Sequence, residues 1–165
     1  MTPGDIRVEI VGERSAWVRE MLAGLRTLPL GSYEEFASDP RNAAAAESYL
    51  RRALEALLDL GRHVLAKGFG RATTEYKEIA TALGEAGVLD EAAARVLSEM
   101  AGFRNRLVHF YHQVRRPELY QICTEDVEDV EVVLETILAW VRARPEAADP
   151  SSGGSDAGRE PPRSV

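Results

Sequence analysis

A chain of 165 residues with 45% hydrophobic and 28% charged residues has the composition of one ordinary globular domain. Its net charge of −7 repels nucleic acid from the surface as a whole, which excludes a general nucleic-acid coat protein and requires a local basic patch for any RNA contact. The single cysteine excludes an intramolecular disulfide, and no segment approaches the roughly 18 apolar residues of a membrane span, so we expect a soluble cytoplasmic protein.

Hydrophobic residues recur at three-to-four-residue intervals from residue 5 to 28, which predicts a first helix. A short turn over residues 32–36 leads to Asp39, a good N-cap, with proline at the first helical position after it. The second helix then covers residues 40–67. Gly61 interrupts its apolar stripe, and the missing side chain indicates that another helix approaches closely there.

Three further helices are predicted over residues 74–85, 91–114 and 124–144. Short connections between amphipathic helices favour antiparallel neighbours, so the fold class is all-α, an up-and-down bundle of four to five helices within residues 1–144. Residues 145–165 are rich in proline, serine and glycine and are predicted to be a disordered tail.

Polar residues able to do chemistry concentrate near the end of the 91–114 helix, namely Arg104, Asn105, His109, Tyr111 and His112. On a regular helix, Arg104 and Tyr111 lie within about 20° of each other, whereas His109 lies roughly 140° from Arg104. One straight helix therefore does not aim Arg104 and His109 at one phosphate. Either the helix distorts between them, or long side chains converge from its end, or two chains meet. A purely structural alternative is that cations collect at a helix C-terminus because the dipole favours them.

The combination of arginine and histidine is typical of metal-independent RNA cleavage, in which the ribose 2′-OH attacks the adjacent phosphate. His109 is the candidate acid or base because imidazole exchanges protons at cellular pH. Arg104 is the candidate that stabilises the negative charge on the phosphoryl oxygens. Asn105 and Tyr111 are predicted to orient the phosphate or the base. DNA lacks the 2′-OH and is expected to remain uncut.

Proton transfer to and from the substrate requires two groups, or one group used twice. His109 together with its copy from a second chain supplies both, which predicts a homodimer with the cleft at its two-fold axis. His112 is the competing second group within one chain. No third ligand stands at a suitable spacing from these two histidines, so neither a metal ion nor another cofactor is predicted.

The spacing Arg104-x-x-x-x-His109-x-Tyr111, with Asn105 after the arginine, resembles the signature of HepT-like HEPN ribonuclease toxins. Residues 32–40 and 54–63 are also similar to that family. The resemblance implies a homodimeric helical bundle in which Arg104 and His109 form a composite cleft. It also implies a minimal nucleotidyltransferase antitoxin, encoded by a neighbouring reading frame, that transfers AMP to Tyr111. An adenylate there would place an anion where the substrate phosphate binds.

Two alternatives to an active toxin remain open from the sequence. In the first, the chain is a catalytically inactive dimeric scaffold for the nucleotidyltransferase. In the second, the roles are reversed and it regulates an active nucleotidyltransferase.

If RNA is bound, Arg106, His112, Arg115 and Arg116 are candidate contacts. A basic rim around the cleft is predicted from six residues: Lys67, Arg71, Arg104, Arg106, Arg115 and Arg116.

Four other residues are assigned structural roles. His63 lies beside apolar Val64 and is expected to be structural or interfacial. Trp17 and Trp140 are predicted to anchor the core or a dimer interface. Cys123, among apolar neighbours, is predicted to serve in packing rather than as a nucleophile.

Overall fold

The structure, a computed structural model, describes residues 5–144 and contains no strand within that range. The all-α prediction is therefore confirmed, while the predicted disordered tail at residues 145–165 lies outside the described residues. Seven α-helices follow one another in that range: α1 (Val8–Leu25), α2 (Tyr33–Ala37), α3 (Pro40–Phe69), α4 (Tyr76–Glu85), α5 (Glu91–His109), α6 (Arg116–Gln121) and α7 (Val127–Arg142).

The long helix α3 is the centre of the bundle. It packs along α1 on one side and contacts α4, α5, α6 and α7 elsewhere, while α4 packs against α5. The predicted N-terminus is confirmed, because the Asp39 side chain accepts a hydrogen bond from the Arg41 backbone N–H and Pro40 begins the helix. Gly70, with a φ of 62°, ends it in the left-handed conformation that glycine adopts without strain. A continuous apolar stripe of α3 is buried: Leu50, Leu54, Leu57, Leu60 and Val64 among others.

Two predictions near the N-terminus are wrong, the extent of the first helix and the turn that follows it. The first helix covers only Val8–Leu25 rather than residues 5–28, and the segment predicted as a turn is the short helix α2. Ser32 caps α2 by accepting a hydrogen bond from the Glu35 backbone N–H, and Phe36 of this helix is fully buried. The hydroxyl cap and the buried aromatic ring stabilise a helix of five residues, which is too short to show periodicity.

The end of the predicted 91–114 helix, which carries the candidate catalytic residues, differs most from the prediction. Helix α5 ends at His109 instead of continuing to residue 114, because Phe110 adopts φ −133° and ψ 39°. Residues Tyr111–Gln113 then form a single 3-10 turn. Arg106 donates hydrogen bonds to the Gln113 carbonyl and to Glu118 of α6. These bonds hold residues 113–118 against the end of α5.

The last helical segment begins earlier than residue 124. Helix α6 starts at Arg116 with Pro117 in its first turn, and a π-helical turn at Ile122–Asp126 joins it to α7. Cys123 lies in this turn and is buried, and burial raises the pKa of its thiol to about 12. A thiol held neutral in this way supports the predicted packing role.

The predicted close helix contact at Gly61 is confirmed. A Cβ atom at this position would lie 2.9 Å from Ile79 Cγ2 and 2.9 Å from Leu83 Cδ1, both on α4 and both fully buried. We expect Gly61→Ala to lower the free energy of unfolding by about 1–2 kcal/mol, because the cost of overpacking exceeds the gain in helix propensity. Gly12→Ala is the control, since nothing lies within 4 Å of a Cβ there and α1 should gain about 0.5–1 kcal/mol. Urea denaturation of both variants measures the difference, and a stabilised Gly61→Ala protein would contradict the close contact.

The two tryptophans differ in environment. Trp17 is 39% exposed, so the prediction that it belongs to the core is wrong, and an interface role stays a prediction. Trp140 is half-buried and packs against Phe69 with a ring-centroid distance of 5.2 Å. Within residues 5–144, no helix is both long enough and apolar enough to cross a bilayer.

Candidate active site

The helix end at His109 changes the geometry of the predicted motif. Since α5 is helical from Arg104 through His109, these two side chains leave it about 140° apart, which rules out a distortion of the helix between them. Tyr111 lies beyond the helix, in the 3-10 turn. The predicted alignment of Arg104 and Tyr111 on one helical face is therefore wrong, because it required α5 to continue past residue 109.

Arg104 points towards α3 and α4. Its Nε and Nη2 atoms donate hydrogen bonds to Glu55 Oε1 at 3.0 and 2.9 Å, and its Nη1 donates to Asn105 Oδ1 at 3.2 Å. The guanidinium lies over the Tyr76 ring, 4.6 Å from the ring centroid. Its side chain is only 18% exposed, and that of Glu55 is 27% exposed. Arg104 is thus held at the bundle surface by three neighbours and is not sealed in the apolar core.

His109 and Tyr111 are both exposed to solvent. The His109 ring lies edge-on to Phe110 at 6.5 Å, and the Tyr111 ring lies edge-on to His112 at 5.9 Å. Tyr111 is 68% exposed, which leaves its hydroxyl open to another molecule. Among the described residues, no hydrogen bond joins Arg104 to His109 or to Tyr111. The structure therefore brings Arg104 together with Asn105 and leaves the imidazole and phenol on the outside of the same helix end.

A polar network around Arg104 was not predicted. Two guanidinium groups lie over the Tyr76 ring, that of Arg62 5.1 Å and that of Arg104 4.6 Å from its centroid. Arg62 pairs with Asp59 at 3.0 Å, and the Tyr76 hydroxyl lies 3.4 Å from the same Asp59 oxygen. Burial, followed by the charge of Asp59, raises the pKa of Tyr76. The signal in the sequence was a polar stripe at positions 55, 59 and 62 on the otherwise apolar α3.

Only part of the predicted basic rim is available to bind RNA, because some of its cations form ion pairs within the chain. Three of its six cations are paired within the chain: Arg71 with Glu85 at 2.6 Å, Arg104 with Glu55 and Arg106 with Glu118. The hydrogen bond from Arg106 holds the pKa of the Glu118 carboxyl below its ordinary value. Lys67, Arg115 and Arg116 are exposed, and their contact with RNA stays a prediction, as does that of His112.

A cleft of about 470 Å³ lies beside α5, and Phe103 and Arg106 contribute to its wall. It does not suit a phosphate, because its carboxylates outnumber its cations. Burial, together with the charges of neighbouring carboxylates, raises the pKa of Asp126 in this wall. Four acidic residues line it, against Lys77 and Arg106: Glu99, Glu118, Asp126 and Asp129. Within the described residues, no group of three or more His, Cys, Asp or Glu side chains is placed to hold a metal ion.

His63 has the structural role that the sequence predicted. Its Nε2 accepts a hydrogen bond from the Arg7 backbone N–H at 3.0 Å and so anchors the start of α1 to α3. Burial, together with the charges of Lys67 and Arg7, lowers the pKa of this imidazole. Only the neutral ring accepts the bond, so geometry and charge favour the same protonation state.

We expect His63 to make the protein less stable in mild acid. Because its pKa is lower in the folded chain, the unfolded chain binds more protons, and the free energy of unfolding falls as the pH decreases from about 6.5 through the lowered value. Thermal melts of wild type and His63→Gln at several pH values measure this effect, since glutamine also accepts the Arg7 bond but does not titrate. Identical pH dependence of the two proteins would contradict it.

Comparison with known proteins places this chain in a family. A family model described as ribonuclease HepT-like matches residues 18–137, a range that contains the whole of α5 and the 3-10 turn. The chain belongs to the HepT-like family. This membership confirms the resemblance inferred from the motif, and the family is one of ribonucleases. Among curated proteins, no sequence matches this chain.

Solved structures show the HepT-like fold at low sequence identity. A tri-AMPylated HEPN toxin from Shewanella oneidensis in complex with MNT antitoxin has a TM-score of 0.72 and 20% identity, over 79% of this chain and 97% of its own. A toxin–antitoxin crystal structure with AMP-PNP has a TM-score of 0.71 and 19% identity, covering 78% and 97%. The cytosolic protein YutE from Bacillus subtilis has a TM-score of 0.68 and 18% identity, covering 82% and 90%. At these identities the similarity establishes the fold alone.

Proposed function

We propose that this chain is the toxin of a toxin–antitoxin pair, an endoribonuclease that cleaves RNA without a metal ion and is silenced by adenylylation of Tyr111. The observation that carries the proposal is the exposed His109 and Tyr111 at the end of α5, with Arg104 on the same helix, in a member of a ribonuclease family. Both the imidazole and the phenol are accessible there, and the guanidinium lies five residues earlier on α5.

The proposed reaction transfers a phosphoryl group within the RNA. An imidazole of His109 takes the proton from a ribose 2′-OH, and the 2′ oxygen bonds to the adjacent phosphorus. The bond from phosphorus to the 5′ oxygen then breaks, and this oxygen receives a proton from a second imidazole. The products are a 2′,3′-cyclic phosphate and a free 5′-OH. Arg104 stabilises the charge on the non-bridging oxygens at the transition state.

The same geometry supports a homodimeric cleft. Within one chain, Arg104 faces α3 and α4 whereas His109 leaves α5 about 140° away, so the two side chains start in different directions. A two-fold axis at this helix end would place the partner's His109 opposite Arg104 and would supply the second imidazole. His112, in the 3-10 turn, is the alternative second group within one chain.

The proposed partner is a minimal nucleotidyltransferase antitoxin. Two of the fold relatives are toxin–antitoxin complexes, and one of these contains a tri-AMPylated toxin with MNT antitoxin. The exposure of Tyr111 supports it as the acceptor of AMP, since its hydroxyl is free to enter another active site. An adenylate so close to His109 would bring negative charge and bulk to the site of the substrate phosphate.

Cleavage of a defined oligonucleotide tests the proposed activity. We expect the purified, unmodified protein to cut RNA in the presence of a chelator, to leave cyclic phosphate ends and to spare DNA of the same sequence. In cells, expression without the antitoxin is expected to arrest growth. If the unmodified protein cuts no RNA, the chain is instead a scaffold or a regulator of its nucleotidyltransferase.

Mass spectrometry of the co-expressed pair tests the proposed regulation. We expect one or more AMP units on Tyr111, loss of the modification in Tyr111→Phe, and no RNA cleavage by the modified protein. The Tyr33→Phe variant is the control, because Tyr33 lies in α2 and packs edge-on against Tyr120 at 5.7 Å. AMP found at another residue, or full cleavage activity of the modified protein, would contradict adenylylation of Tyr111 as the inhibitory step.

A further inference from the structure

The environment of Arg104 is more specific than an ordinary ion pair at the surface. Three side chains from three helices surround its guanidinium: Glu55 of α3, Tyr76 of α4 and Asn105 of α5. We call these three residues the arginine clamp. The position of Tyr76 is itself fixed, because Arg62 lies on the ring, 5.1 Å from its centroid.

The hydrogen bonds of the clamp leave part of the guanidinium unused. Arginine has five N–H groups, one on Nε and two each on Nη1 and Nη2. Glu55 Oε1 takes the Nε–H and one N–H of Nη2, and Asn105 Oδ1 takes one N–H of Nη1. One N–H therefore remains on each terminal nitrogen. A pair of donors on adjacent nitrogens matches two oxygens of a phosphoryl group.

The clamp also removes the motion that makes a free arginine a poor catalyst. A long side chain loses considerable conformational entropy when it is fixed in one orientation, and an immobile donor needs no reorganisation as the transition state forms. The hydrogen bonds to Glu55 fix the edge of the group that carries Nε and Nη2, while stacking on Tyr76 sets its plane. These restraints exist before any substrate arrives.

We infer that Glu55 and Tyr76 are positioning residues for RNA cleavage, which hold Arg104 so that its remaining Nη1 and Nη2 donors receive the scissile phosphate. This inference rests on the proposed function and deepens it. Neither residue touches the substrate. The restraint on Arg104 acts on the charge that develops at the transition state, so its loss lowers kcat more than it changes KM.

Substitutions of Glu55 separate positioning from charge. We expect Glu55→Ala to lower kcat by about 10-fold to 100-fold, with KM changed by less than about 3-fold. Glu55→Gln should recover most of kcat, because the amide oxygen still accepts from Nε and Nη2. The control is Glu131→Ala, which removes the same kind of contact from Arg26 at 2.8 Å, between α7 and α1, and should leave kcat unchanged.

Substitutions of Tyr76 test the second restraint independently. Tyr76→Phe keeps the ring face under Arg104 and should cleave RNA at nearly the wild-type rate. Tyr76→Leu removes the aromatic ring face and should lower kcat by about 10-fold, because Arg104 loses one of the contacts that orient it. Thermal melts identify any variant that fails to fold. If a Tyr76 variant fails to fold, the two Glu55 variants still test the inference, and the Tyr76 variants do so if a Glu55 variant fails.

The outcomes distinguish this inference from the proposed function. If wild type cuts RNA and Arg104→Ala does not, while Glu55→Ala and Tyr76→Leu are as active as wild type, only the inference fails. Higher activity of Glu55→Ala would overturn it in favour of an inhibitory contact, and equal losses in Glu55→Ala and Glu55→Gln would overturn it in favour of charge. If wild type itself cuts no RNA, the proposed function and this inference both fail.

Discussion

Replacing Arg104 with alanine is expected to lower kcat/KM for RNA cleavage by about 100-fold to 1,000-fold, the loss typical of removing one preorganised donor to a charged transition state. The guanidinium supplies both a positive charge and a planar pair of donors, and alanine supplies neither. Arg104→Lys should recover little, because an ammonium restores the charge without the pair of donors. Steady-state cleavage of a fluorogenic RNA measures the effect, and relief of growth arrest gives the same result in cells.

The control for this variant must account for stability. Arg104→Ala leaves the partly buried Glu55 without its partner, which is expected to cost about 1–3 kcal/mol of unfolding free energy. Rates are therefore compared well below the lowest Tm. Arg26→Ala, which breaks the contact with Glu131, should cleave RNA at the wild-type rate. An Arg104→Ala protein that is folded and still fully active would contradict the assigned role.

Replacing His109 with alanine is expected to lower kcat by about 100-fold to 10,000-fold, because general acid–base catalysis contributes a factor of this size. The side chain is exposed, so the unfolding free energy should change by less than about 0.5 kcal/mol. Loss of activity without loss of stability would separate a chemical role from a structural one. Cleavage kinetics and thermal melts of the same preparation provide both values.

Two other histidines serve as references for His109. His63→Gln keeps the hydrogen bond at the start of α1 and should not change the cleavage rate at neutral pH. His112→Ala should lower the rate less than His109→Ala if the partner's His109 is the second proton carrier. A larger loss in His112→Ala than in His109→Ala would instead assign the chemistry to the 3-10 turn of one chain.

Local signals in the sequence were sufficient for the centre of the fold. The Asp39 cap, the proline after it and the glycine at position 61 each have a mechanism within a few residues or one helix contact, and each is found as predicted. The end of α5 required a contact that the sequence does not reveal. The polar segment remained compatible with a helix to residue 114, whereas Arg106 bonds to Gln113 and Glu118 only after the chain has turned back.

The first helix shows that periodicity fixes a buried face only approximately. Of the apolar residues at helical spacing, the structure buries Met21 and Leu25 but leaves Trp17 39% exposed. Val18, one position later and about 100° further around the helix, is completely buried instead. The packing of α1 on α3 decides which of these side chains faces the core.

The residues of the candidate site also fall into two groups, those that the sequence identified and those that only the tertiary structure reveals. Arg104, His109 and Tyr111 could be identified because they stand within eight residues and match a family motif. Glu55 and Tyr76 are 49 and 28 positions away from Arg104 and become its neighbours only through the packing of α3, α4 and α5. The polar stripe on α3 is a signal that this helix has a polar partner, but the identity of that partner is a property of the tertiary structure.

Mixed dimers test the central claim most directly, namely that Arg104 and His109 of two chains act on one phosphate. Differently tagged Arg104→Ala and His109→Ala chains are co-expressed, and the heterodimer is purified and compared with each mutant homodimer. The account predicts that both homodimers are inactive while the heterodimer regains part of the cleavage rate, because one guanidinium and one imidazole from different chains meet again and water replaces the missing second imidazole. A heterodimer as inactive as the two homodimers would contradict the composite cleft.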